Sequence, residues 1–137
     1  HIRGYSPRDA VYCSPITTLD GILQKHTGEE PFHAPEKLLQ LRKNEKYGQF
    51  KHSEYNSVPV AMLYDMDTTG GNSGSPVLHA KGQLVGLNFD RAFEATINDY
   101  AWNKDYSRSI GVDIRYILWV LQNFGEVDYL LKEMKVE

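Results

Sequence analysis

Cysteine is nearly missing from this chain: Cys13 is the only one in 137 residues. No internal disulfide can form, no paired-cysteine metal pattern exists, and compartment cannot be read from cysteine usage. Long apolar runs are missing as well. None approaches the roughly 20 residues that span a bilayer as a helix, and "HIRGYSPRDA" at the N-terminus is not a signal peptide. An excess of basic charge is absent too. A net charge of −3 gives no sign of a nucleic-acid footprint, which would need a basic face. Repeats, low-complexity tracts and interdomain linkers are not seen. What is present is 41% hydrophobic and 24% charged, which suits one compact soluble domain over residues 1–137. The chain begins in mid-stride at "HIRGYSPRDAVYCSPITT", without an initiator methionine. That raises the expectation of a fragment of a longer protein, or of a cleaved precursor.

Along the chain, Val11 and Cys13 alternate with polar neighbours, which predicts a strand bounded by Pro15. Pro35 fits the first turn of a short helix with Leu38, Leu39 and Arg42 on one face. "YGQFKHSEYNS" reads as loop or edge, and Val58 to Met66 as a buried strand. "SPVLHAKGQLVGLNF" predicts a hairpin turning at Ala80-Lys81-Gly82 and returning through Leu84, Val85 and Leu87. "RAFEATINDYAWNKDYSRS" reads as a long polar-aromatic connection before a strand from Ile110 to Val112. Asp113 suits the N-cap of "IRYILWVLQNF", with Ile114, Ile117, Leu118 and Leu121 on one face and Gly125 closing it. "EVDYLLKEM" adds a last turn of helix. The pattern is mainly β with a C-terminal helix.

The chemistry concentrates in Gly70-Gly71-Asn72-Ser73-Gly74-Ser75-Pro76, between a buried strand and a hairpin. A serine nucleophile for acyl transfer needs an outward hydroxyl and two backbone N–H groups aimed at the developing oxyanion. Gly71 lets the backbone twist so that its N–H joins that of Ser73, and Gly74 clears an approach for the substrate carbonyl. The competing explanation is a Gly/Ser turn with no chemistry.

"GNSGSPV" followed by "GQLVGLNF" resembles the C-terminal barrel of chymotrypsin-fold serine peptidases. Glutamyl endopeptidases share most of "TTGGNSGSPV". The bacterial dipeptidyl peptidases of serine peptidase family forty-six share more: "TTLDGILQKHTGEEPF", "TGGNSGSPVL", "GLNFDR" and "IGVDIRYILWVL". This resemblance runs over nearly the whole chain. It implies a mainly β, chymotrypsin-like C-terminal β-barrel with a short inserted helix and a C-terminal helix. It implies that the general-base histidine and its aspartate come from an N-terminal barrel outside this chain. His1, His26, His33, His52 and His79 sit in polar loops or turns, so the isolated chain is expected to be inactive. Asn72 stands where many digestive relatives have an aspartate, which argues against activation through an ion pair to a new N-terminus, though not against other processing. The family also implies peptide substrates, no cofactor, a further helical region, and a homodimeric full-length protein. The implied location is the periplasm or cell surface of a Gram-negative bacterium.

The same resemblance assigns substrate contacts. Arg91 stands where the Asp/Glu-specific members carry an arginine, and a guanidinium there suits a bidentate pair with an acidic side chain. The alternative is a surface arginine capping the strand or pairing with Glu94. Asp90 matches the family's aspartate for the free N-terminal ammonium, a charge-assisted bond that a blocked peptide lacks. Asn88 and Phe89 lie where substrate backbone runs alongside the strand. Asp67 falls where trypsin-like enzymes place a selective aspartate, and is read as a turn residue; Asp113 and Trp119 are read as structural. The expected activity is release of N-terminal dipeptides with Asp or Glu in second place. A glutamyl endopeptidase and a non-enzymatic interaction module on a peptidase-like barrel are the rivals.

Overall fold

In the computed structural model, which describes residues 1–136, the chain opens with a hairpin of β1 (Tyr5–Arg8) and β2 (Val11–Cys13). β2 is the strand that alternation predicted. β1 was hidden by Pro7, a residue tolerated in strands only where its missing N–H is not needed. A five-stranded sheet follows, in the order β3 (Ile16–Thr18), β4 (Pro59–Tyr64), β7 (Ser109–Asp113), β6 (Leu84–Arg91) and β5 (Pro76–Leu78). The mainly β expectation is met as two antiparallel sheets, and among the described residues the larger one stays open rather than closing into a barrel. The hairpin β5–β6 forms around Ala80-Lys81-Gly82, where the Gly82 N–H donates to the His79 carbonyl at 2.8 Å.

The residues group into two compact units. The first comprises His1–Thr17 and Ala61–Ile114. It packs Met62, Tyr64 and Val77 against one another in one cluster, and Tyr5, Ala92 and Ala95 in another. Part of the expected long connection is ordered here as a 3-10 segment, Phe93–Asp99. Behind it Arg108 is only 1% exposed. Its guanidinium donates to the carbonyls of Arg3, Gly4, Lys104, Asp105 and Ser107 at 2.6–3.3 Å. A buried cation thus takes backbone dipoles as its partners.

The second unit comprises Thr18–Val60 and the described residues from Arg115 onward. Its core is Leu19, Ala34, Leu38, Tyr47, Phe50, Val58 and Trp119. Trp119 is fully buried, and its indole N–H donates to the Lys46 carbonyl at 2.7 Å, as its structural assignment requires. Helix α1 (Leu19–Lys25) has no counterpart in the sequence expectation. Its signal was weak because Gly21 lowers helix propensity and seven residues cannot hold a helix alone. Thr18 caps it, accepting from the Gly21 N–H at 3.3 Å. Helix α2 (Glu36–Lys43) begins just after Pro35, which stands at the N-cap position rather than in the first turn, and Arg42 reaches Asp20 of α1 at 2.6 Å. Helix α3 (Ile114–Trp119) widens into a π-type turn over Val120–Phe124 before Gly125, and α4 (Asp128–Glu133) follows. No helix among the described residues is long and apolar enough to cross a membrane.

Candidate active site

The loop after β4 is tied down before it reaches the glycines. The Ser109 hydroxyl donates to the Met66 carbonyl at 2.7 Å and lies 2.5 Å from Thr68 Oγ1. A reciprocal turn follows: the Thr69 N–H donates to Asn72 Oδ1 at 2.8 Å, and the Asn72 N–H donates to the Thr69 carbonyl at 3.2 Å. Gly71 and Gly74 flank the serine with φ of +96° and +86°. A Cβ at either would meet nothing within 4 Å, so the backbone conformation and not lack of space demands glycine. An L side chain in that region costs about 1–2 kcal/mol.

The amides of this turn divide into two sets. Those of Asn72, Gly74 and Ser75 donate to the carbonyls of Thr69, Asn88 and Asn72. Among the described residues, none accepts a hydrogen bond from the N–H of Gly71 or of Ser73. The Gly70 N–H has no such acceptor either; Gly71 and Ser73 are the pair that the sequence pattern assigned to an oxyanion. Ser73 itself is exposed, and its hydroxyl donates to the Phe89 carbonyl at 3.3 Å.

Phe89 sits at a bulge, between the pairs Asn88↔Gly111 and Asp90↔Ile110 of β6 and β7. A bulge breaks the strict in–out alternation and re-aims the side chains around it. Here it leaves Phe89 and Asp90 exposed and Arg91 half-buried, on the same cleft as the serine. That cleft, of about 120 Å³, is lined by residues 68–70, Ser73 and residues 88–91. Ser73, Asn88, Phe89, Asp90 and Arg91 are therefore brought together, and Gly71 belongs to the turn that carries Ser73.

Their positions differ in kind. Asn88 is buried; Tyr64 donates its hydroxyl to Asn88 Oδ1, and Asn88 Nδ2 donates to the Asn72 carbonyl at 3.2 Å. Burial pushes the Tyr64 hydroxyl up to about 12, so it remains a donor. The Asn88 backbone N–H and C=O pair with Ser75 and Gly74. Both halves of Asn88 thus bond to the turn that carries Ser73. Asp90 is exposed, and its Oδ1 accepts from the Arg91 N–H at 2.8 Å. Arg91 does not pair with Glu94, which instead accepts the Tyr5 hydroxyl at 2.6 Å. It forms a bidentate pair with Asp99 at 2.8 and 2.9 Å and a longer contact with the Thr68 carbonyl at 3.5 Å. The Asp99 bonds, with the fields of Asp90 and Asp67, raise the Arg91 guanidinium further, and the same bonds hold Asp99 below the usual carboxylate range.

Asp67 is an exposed loop residue, and His79 is an exposed turn residue accepting from the Lys81 N–H at 3.3 Å. Asp99, Tyr64 and Ser109 were not singled out from sequence. The run "ATINDY" has no period and no motif, so nothing in it points to Arg91.

The sequence pattern of peptidase S46 matches residues 1–136. The chain belongs to the peptidase S46 family. It is similar to the Asp/Glu-specific dipeptidyl-peptidase of Shewanella putrefaciens, with 45% identity over 97% of this chain and 21% of that protein. The Asp/Glu-specific dipeptidyl-peptidase of Flavobacterium psychrophilum is 43% identical over 98% of this chain and 19% of its own length. This S46 chain thus spans about a fifth of the curated relatives it matches. Among solved structures, Porphyromonas endodontalis DPP11 in complex with the dipeptide Arg-Asp matches with a TM-score of 0.93 and 39% identity. That match covers 96% of this chain and 19% of that one.

Proposed function

We propose that this S46 chain is the nucleophile-bearing, C-terminal part of a chymotrypsin-like catalytic domain. The full-length protein releases N-terminal dipeptides whose second residue is Asp or Glu. The observation that carries this is the cleft that Ser73 shares with Arg91, with the Gly71 and Ser73 amides left without an acceptor in the turn that carries the serine. The names of the relatives support the same activity.

In this reading the Ser73 hydroxyl attacks the carbonyl carbon of the second peptide bond. Its proton passes to a histidine elsewhere in the full-length protein, held by an aspartate from the same part. The oxyanion is received by the N–H groups of Gly71 and Ser73. The bond to the leaving amine breaks as the histidine returns the proton, giving an ester on Ser73 and a shortened peptide. Water then hydrolyses the ester and frees the dipeptide. Asp90 binds the free ammonium and ends the substrate path after two residues, and Arg91 binds the acidic side chain. No cofactor takes part. A periplasmic or surface location and a homodimer complete the proposal, on the strength of the resemblance of motifs.

The test uses the full-length protein and substrates that differ only in their second residue, Glu or Leu. Ser73→Ala should abolish both cleavages. Arg91→Gly should lower kcat/KM for Glu by roughly ten- to hundred-fold more than for Leu, the scale of losing a charged hydrogen-bond partner. An equal loss for both substrates retires Arg91 as the selective residue. Cleavage after Glu in an N-terminally blocked peptide favours an endopeptidase and removes the role of Asp90.

A further inference from the structure

We infer that Asp99 tunes specificity by competing with the substrate acid for Arg91. This rests on the proposal that Arg91 binds the substrate carboxylate. Asp99 occupies both terminal nitrogens of the guanidinium, at 2.8 and 2.9 Å, which is the geometry a substrate Asp or Glu would adopt. Arg91 lines the cleft beside Ser73, whereas Asp99 arrives from the 3-10 segment Phe93–Asp99. A carboxylate entering the cleft therefore meets a guanidinium whose fork is filled by a group of its own kind.

Two outcomes are open to that carboxylate, and Asp99 opposes it in both. If it displaces Asp99, one acid replaces another on the guanidinium, so its charge partner and hydrogen bonds are kept and the substrate bears the cost of opening the internal pair. If it shares the guanidinium, it meets the Asp99 charge, to which Asp90 and Asp67 add. A neutral side chain can do neither and leaves the internal pair intact. The internal pair is partly solvated, with side-chain exposures of 22% for Arg91 and 49% for Asp99. It therefore opens readily, and its drag on acidic substrates is roughly two- to five-fold in affinity.

The experiment measures KM and kcat for Glu and Leu substrates in the full-length protein carrying Asp99→Asn, Asp99→Glu, Arg91→Gly, or Asp99→Asn with Arg91→Gly. Asp99→Asn is expected to lower KM for the Glu substrate by roughly two- to five-fold and to raise the Glu-over-Leu ratio of kcat/KM. Asp99→Glu, which restores the charge, should return that ratio towards the parent value. On the Arg91→Gly background the Asp99 change should lose its selectivity. Inhibition by a free dipeptide ending in Glu reads the same affinity without turnover. An unchanged or raised KM and inhibition constant in Asp99→Asn overturn the inference and make Asp99 an anchor for its segment. Equal losses for Glu and Leu in Arg91→Gly overturn the Arg91 proposal instead, so the two failures are distinct.

Discussion

Removing the Asn88 side chain separates two roles that its position on β6 leaves open, contact with substrate or support of the nucleophile. The side chain links the buried Tyr64 hydroxyl to the Asn72 carbonyl, the residue just before Ser73. Asn88→Ala removes both bonds, each worth about 1 kcal/mol net, and leaves the Asn72 carbonyl and the Tyr64 hydroxyl without these partners. In the proposed mechanism, if about 1.4–2 kcal/mol of this is felt when the oxyanion forms, kcat falls roughly ten- to thirty-fold. KM should change little, because no substrate contact is lost. Tyr64→Phe is the control: it removes only the far bond and should produce a smaller fall in kcat. The assay is steady-state cleavage of a dipeptidyl substrate with Glu in second place, by the full-length protein. A raised KM with kcat preserved in Asn88→Ala would falsify the supporting role and return Asn88 to the substrate path.

Two further outcomes concern stability. Arg108→Met should destabilise the first unit locally by about 3 kcal/mol, since several backbone carbonyls lose their donor together. Amide exchange over residues 98–108 of the full-length protein should speed up, and unchanged protection would show that water replaces the guanidinium at no loss. Asp20 gives a pH signature: burial alone would raise its carboxyl, but bonds from Ser57, Arg42 and Tyr47 hold it below its ordinary value. A carboxylate with a lowered folded pKa stabilises above its unfolded value of about 4, and that contribution disappears as pH falls through the lower folded value. The denaturant midpoint of Asp20→Asn should therefore lie below the wild type at neutral pH, with the gap closing below about pH 4. A gap that persists into strong acid would show that the carboxylate charge is not what binds Arg42.

Local patterns were enough for β2, β4, the hairpin around Ala80-Lys81-Gly82, and the helix that begins at Ile114. Alternation, turn residues and helical spacing act within a few neighbours, and no distant partner is needed to read them. Where a local rule spoke against the element, it was missed. Pro7 hid β1, and Gly21 hid α1, whose short span is held by Thr18 and by the burial of Leu19. The buried Arg108 lay in a run that reads as solvated loop. Its partners are carbonyls from both ends of the first unit, and a carbonyl leaves no mark in a sequence.

By itself, the order of residues determined that a serine would stand between two glycines before a hairpin, with Asp90 and Arg91 closing the return strand. Those are choices of side-chain chemistry and of permitted backbone angle, both local. Tertiary structure alone decided which of these groups face one another. The bulge at Phe89 falls where Asp90 and Arg91 line a cleft with the serine, β6 pairing turns Asn88 inward to hold the turn, and a segment beyond the strand delivers Asp99 to the arginine fork. Such contacts depend on register and on long-range closure, which side-chain identity does not encode one position at a time.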